Sequence, residues 1–120
     1  MPTASKHYFS MQTQLVVLHG DITQLNVDTI VGKQSLSARD QGASYRDALL
    51  RARSDRSRSV AFPCLGSESE SVELALKTVR DFIREYPGSF SEIIFACWDS
   101  QNYALYRQLL GGENRVIDIP

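Results

Sequence analysis

Apolar positions change period several times along the chain, and each change marks an element. Residues 13–19 (TQLVVLH) form a β-rich apolar run that stops at Gly20, and residues 27–31 (VDTIV) form a second. Both predict strands. The intervening DITQLN is too short for a full helix but carries Asp21 and Thr23 as capping side chains, which predicts a single helical turn. Residues 32–43 (GKQSLSARDQGA) follow neither period and predict a loop. Ser44 and Asp47 have capping-box spacing, with Asp for the usual Glu, and Tyr45, Ala48, Leu49 and Ala52 follow at helical spacing. A helix of roughly ten residues is expected from Ser44 onward.

The second half is more regular. SVAFPCLG is a compact apolar strand closed by Gly66. The clearest helix follows, with Val72, Ala75, Leu76, Val79, Phe82, Ile83 and Tyr86 on one stripe and Pro87-Gly88 as its stop. Residues 90–98 (FSEIIFACW) predict a buried strand, residues 102–110 a helix with Tyr103, Tyr106 and Leu110 inward, and RVIDI a short last strand. Alternating strands and helices place the chain in the α/β class: three layers, a mostly parallel or mixed sheet, helices on both faces. Ligands collect at the carboxyl ends of strands in such sheets. The positions to inspect are therefore Gly20-Asp21, Gly32 and its loop, Leu65-Gly66-Ser67, and Trp98-Asp99.

Composition narrows this picture. The length of 120 residues with 42% hydrophobic content supports one core, so residues 13–120 are expected to form a single domain behind an N-terminal extension, 1–12. A net charge of -1 gives no field to gather polyanions, which argues against a nucleic-acid partner. The first residues lack a signal-peptide pattern and no apolar run could span a bilayer, so a cytoplasmic protein without a membrane partner is expected. Cys64 and Cys97 belong to no C-x-x-C pair; two reduced thiols are expected, with no metal site and no cofactor.

Several residues carry candidate chemistry. The Asp21 carboxylate, at the start of a helical turn, suits either a cap or an acceptor for an exocyclic amine. Trp98 suits either the core or stacking against a base or sugar, beside Asp99. Glu68 and Glu70 would repel a phosphate, or would stabilise a helix N-terminus with Ser67 as its cap. Arg46, Arg51, Arg53, Arg56 and Arg58 suit phosphate contacts or a solvated helix flank interleaved with Asp47 and Asp55. His7 and His19 have no acid and nucleophile at interpretable spacing, so no catalytic residue is assigned.

Taken in order, these segments resemble the macrodomain family. HGDITQLNVDTIV is similar to the family's opening strand, GDIT element and second strand. SYRDALLRARSDRSRSVAFP, SVAFPCLGS, SVELALKTVRDFIREYP and IIFACWDSQNYALYRQLL are similar to its later helices, strands and second phosphate loop. The resemblance implies that Asp21 binds adenine, that Ile22 offers a backbone contact to the same ring, and that Trp98 lies near the adenosine. It also implies that Gly66 and Ser67 lie where the second phosphate loop begins, and the strand-end rule adds Leu65 and Asp99 as expected ligand-binding residues. The family's Asn-Ala-Asn run and first glycine-rich loop are replaced here by GKQSLSARDQGA, and its second loop reads GSESES.

The expected function is binding of ADP-ribose or a related adenine nucleotide by a shortened macrodomain, without hydrolysis of ADP-ribosyl bonds. The alternative is a ligand-free pseudo-domain that acts as an interaction surface. A third reading is a deletion product with no separate function. Loss of central elements should also leave sheet edge uncovered, so a homodimer is expected.

Overall fold

The computed structural model describes residues 13–36, 41–64, 69–110 and 115–117. The extension expected over residues 1–12 lies outside them. The elements are β1 (Thr13–His19), β2 (Thr29–Ile30), α1 (Gln41–Ser54), β3 (Ser59–Pro63), α2 (Ser69–Glu85), β4 (Glu92–Cys97), α3 (Ser100–Leu110) and β5 (Arg115–Ile117). Short 3-10 turns occupy Ile22–Gln24 and Lys33–Leu36.

The strands form one sheet in the order β2-β3-β4-β1-β5. Four are mutually parallel and β5 runs antiparallel to β1, giving the mostly parallel α/β sheet expected. The central strand β4 is flanked on both sides, Ile93 pairing with Leu15 and with Val60. Its residues from Ile93 to Cys97 are all buried, which is why it reads as an unbroken apolar run rather than an alternation.

Side-chain alternation divides the strands between two faces. Leu15 and Val17, Val60 and Phe62, and Ile93, Phe95 and Cys97 meet the three α-helices in the main core. Tyr45, Leu49 and Ala52 bring α1 there, and Tyr106 and Leu110 bring α3. The α2 stripe of Val72, Ala75, Leu76, Val79, Phe82 and Ile83 is almost wholly removed from water. Aromatic rings join the layers: Phe62 stacks on Phe95 at 5.6 Å between centroids, and Tyr45 and Tyr106 tilt against them at 5.1 and 5.2 Å. Burial, with the neighbouring Tyr106 hydroxyl, pushes the Tyr45 phenol well above its ordinary pKa, so it stays neutral. On the other face Val16, Ala61 and Ile94 pack with Leu18 of β1 and with Ile22, Leu25 and Val27 from the segment holding the first 3-10 turn. Helical structure thus sits on both faces, with the α-helices on one.

Two local expectations differ from the structure. The helix expected from Ser44 begins at Gln41, and Ser44 is a buried residue inside it rather than a cap. Docking of Tyr45, Leu49 and Ala52 fixes this helix, and the polar segment before it extends the same spiral. The segment expected as pure loop contains a 3-10 turn whose Leu36 is fully buried. A lone apolar residue in a polar stretch gives no period to detect.

The end of α1 has a special geometry. Arg56 N–H donates to the Arg53 carbonyl and Ser57 N–H to the Ala52 carbonyl, each at 3.0 Å, the pattern of a Schellman cap. Arg56 has φ 63°, the left-handed conformation that glycine usually supplies there. Arg46 ties α1 to α2 through Glu85 and lies over the Phe82 and Tyr86 rings.

Candidate functional site

The carboxyl ends of β1, β3 and β4 converge. His19 pairs with Cys97 in the parallel register, Gly20 N–H donates to the Cys97 carbonyl at 2.9 Å, and Cys64 N–H donates to the Ala96 carbonyl at 3.1 Å. Chain leaving β1 and chain leaving β4 therefore emerge side by side, and this brings Asp21 and Ile22 beside Trp98 and Asp99.

Asp21 caps the first 3-10 turn. Its Oδ1 accepts from the Thr23 backbone N–H at 2.9 Å and from the Thr23 hydroxyl at 2.7 Å. The hydroxyl bond, followed by the amide bond, holds the carboxyl below its ordinary pKa, so it is ionised at neutral pH. The cap uses one oxygen. Oδ2 has no partner among the described residues and remains an acceptor. Asp99 repeats this logic on α3: its Oδ1 accepts from Asn102 N–H at 2.7 Å. Ile22 directs its side chain into the second core face, which leaves its backbone rather than its side chain for any ligand contact.

Trp98 is 75% exposed, which decides between the two roles open to it. It is not a core residue. Its carbonyl accepts from His19 Nε2 at 3.0 Å, and the His19 ring stacks on Tyr103 at 5.6 Å with Arg107 over the far ring at 5.5 Å. His19 and Tyr103 thus buttress the Trp98 backbone, a role not read from the sequence. The only available signal was the position of His19 directly before Gly20-Asp21. Leu65, Gly66 and Ser67, expected to open a phosphate loop, lie outside the described residues, as does Glu68.

The cysteines do not behave as expected. Cys64 and Cys97 form a disulfide, with S–S 2.07 Å and Cα atoms 4.8 Å apart. The two reduced thiols expected from the lack of any C-x-x-C pair are overturned. Pro63 pairs with Ala96 across β3 and β4, so the next residue of each strand falls opposite the other, and the α2 crossover hides this adjacency from the sequence. The bond lies at the site, one residue before Leu65 and one before Trp98. It leaves neither sulfur as a thiolate nucleophile.

A separate cleft of about 330 Å³ opens beside β2 and α1, between Ile30, Gly32, Ser44, Asp47 and Arg51. It lies at the sheet edge, away from Trp98.

Comparison with known proteins agrees with this layout. No family model matches the sequence. An O-acetyl-ADP-ribose deacetylase of Klebsiella pneumoniae (strain 342) is 29% identical over 85 residues, 66% of this chain and 48% of that protein. One of Salmonella newport (strain SL254) is 34% identical over 73 residues, 56% of this chain and 40% of the relative. The chain spans less than half the length of these curated relatives. Among solved structures, a Trypanosoma brucei macrodomain in complex with ADP superposes with TM-score 0.69 at 17% identity, over 82% of this chain and 69% of that one. An Oceanobacillus iheyensis macrodomain variant with ADPR gives 0.64 at 13% identity, over 82% and 96%. The strand order and the structural likeness give the chain the macrodomain fold, and its sequence is similar to O-acetyl-ADP-ribose deacetylases over 56% to 66% of its length.

Proposed function

We propose that the chain binds ADP-ribose or a related adenine nucleotide at the carboxyl ends of β1, β3 and β4, and that it is not a hydrolase. The observation that carries this reading is the exposed Trp98 at the strand end that the Gly20–Cys97 hydrogen bond joins to Asp21, with Asp99 next in the chain. An adenine ring stacks on such a face, and the second oxygen of Asp21 accepts from its exocyclic amine. Relatives named as O-acetyl-ADP-ribose deacetylases and similar structures solved with ADP or ADP-ribose support the nucleotide class. The non-enzymatic part of this reading rests on the replacement of the Asn-Ala-Asn run and its glycine-rich loop by GKQSLSARDQGA. Leu65, Gly66 and Ser67 open the phosphate side of the site in this proposal. Calorimetric titration with ADP-ribose, AMP and adenosine tests it. Similar affinity for all three is expected of a site that grips mainly the adenosine, and no heat from any would refute it. Turnover of O-acetyl-ADP-ribose would refute the non-enzymatic part.

A second reading, self-association through the β2 edge, is favoured by one observation. β2 is a two-residue edge strand with Ile30 42% exposed beside an open cleft. A second copy covering that edge would form a two-fold dimer. The cytoplasmic location belongs to the same proposal, the Cys64–Cys97 bond then forming and breaking with the local redox state.

A further inference from the structure

Five arginines crowd the sequence between residues 46 and 58, and the fold separates them. Arg46 is taken by Glu85, and Arg51 lines the β2 cleft between Asp47 and Asp55. Arg53, Arg56 and Arg58 instead converge with Pro87, Gly88 and Ser89 on one open cleft of about 460 Å³. It lies at the amino ends of β3 and β4, with all of β3 between Arg58 and Cys64, roughly 20 Å from the Trp98 side of the sheet.

The three guanidinium groups are held differently. Arg58 Nη1 donates to the carbonyls of Gly88 at 2.6 Å and Ser89 at 2.9 Å, which fixes its plane and leaves its Nη2 and Nε donors unclaimed among the described residues. Arg53 stacks on Tyr86 at 4.5 Å and spends only Nε, on the Ser89 hydroxyl at 3.1 Å. The Arg56 side chain has no partner among the described residues, and Arg56 stands in a left-handed backbone position better suited to glycine. Asp55, adjacent to Arg56 in sequence, lines the β2 cleft rather than this one, and Asp28 is engaged by Arg58 N–H at 2.7 Å. An arginine in a left-handed backbone position, lining the same cleft as two preoriented ones, is an arrangement that folding alone does not require.

We propose that Arg53, Arg56 and Arg58 form a second anion site that takes the phosphoryl groups of a small phosphorylated ligand. Guanidinium forks match phosphate oxygens in pairs, and one concave cluster on a chain of net charge -1 fits a small ligand better than the basic stripe a nucleic-acid backbone needs.

The test uses the full chain at low ionic strength with inorganic pyrophosphate as the probe. Arg56→Gly is the informative variant, because restoring glycine at the left-handed position should raise Tm while removing one guanidinium. The expected result is saturable binding by the wild type, about tenfold weaker binding by Arg56→Gly despite its higher Tm, no change in Arg84→Gln, and no displacement of pyrophosphate by AMP at the Trp98 side. Arg84 lies on α2 outside the cleft, so an equal loss there would mean a response to net charge alone and would overturn the site. Wild-type affinity in Arg56→Gly would overturn it too. Competition in which AMP displaces pyrophosphate, with Arg56→Gly unaffected, would assign the anion to the Trp98 side instead, and tighter binding of a single-stranded oligonucleotide than of pyrophosphate would replace the small ligand by a nucleic acid.

Discussion

Cys64 and Cys97 join the ends of two adjacent parallel strands, Cα to Cα 4.8 Å, at the point where both chains turn into the site. The bond closes a loop of 33 residues around α2, and removing it frees that loop in the unfolded chain. Reduction, or the double change Cys64→Ser and Cys97→Ser, should cost about 3 kcal/mol and lower Tm by roughly 12 °C. Thermal melts with and without reductant, alongside a thiol titration, check this. Superimposable melts with two titratable thiols would refute it.

Trp98 is solvated and has no side-chain role in the core, so Trp98→Ala should leave Tm nearly unchanged. Stacking of one base on an aromatic ring contributes about 1 to 3 kcal/mol, so the same change should weaken adenosine binding at least about fivefold. Emission of this single tryptophan should start at a water-like wavelength and be quenched on addition of AMP. Unaltered emission at saturation would remove Trp98 from the site.

Asp21 makes a pH-dependent contribution through Thr23. Its folded pKa is depressed, so its stabilising effect is present above the unfolded value and disappears as pH falls through the folded one. The relevant window is below about pH 4. Thr23→Val removes the hydroxyl bond and keeps the amide bond, so the Asp21 carboxyl should titrate closer to its ordinary value, and an NMR titration of the side-chain carbon measures the change directly. A pKa that does not move would show that the hydroxyl bond is not formed in solution.

Glu70 lies exposed in the first turn of α2. Glu70→Gln should lower stability by about 0.5 kcal/mol at low ionic strength through the helix dipole, and less in high salt. If the carboxylate also repels a bound diphosphate, the same variant should bind ADP-ribose more tightly and adenosine no differently. Denaturant melts and two titrations on one variant separate the effects.

Ile30 gives the self-association proposal a direct test. Ile30→Lys places a charge on the β2 edge and should convert a dimer to monomer in sedimentation, with little change in the melt at low concentration. Wild-type protein sedimenting as a monomer at high concentration would dispose of the dimer itself.

The legible parts of this molecule were those with strong periodicity. The α2 stripe from Val72 to Ile83, the apolar run of β4 and the stop at Pro87-Gly88 all read directly, because one repeating physical demand fixed many residues at once. The Asp21 cap was visible for a related reason: it stands next to the turn it serves, whereas the Asp99 cap was not read because the helix was expected only from residue 102. What the sequence hid depended on contacts between distant segments. The Cys64–Cys97 bond, the His19–Tyr103 stack and the Arg53, Arg56 and Arg58 cleft exist only once parallel register has been set. The exposure of Trp98 was undecidable for the same reason, since strand-end tryptophans face either way.

The strand order constrains how the chain is made. β1 leaves the ribosome well ahead of both of its sheet neighbours, β4 and β5, with Leu15 waiting for Ile93 and Arg115. During synthesis its apolar face must persist without sheet partners until most of the chain has emerged. Non-local pairing of this kind slows folding and prolongs exposure to aggregation. Nascent chains halted before Ile93 should therefore be captured by holdase chaperones, and release should coincide with the emergence of β4.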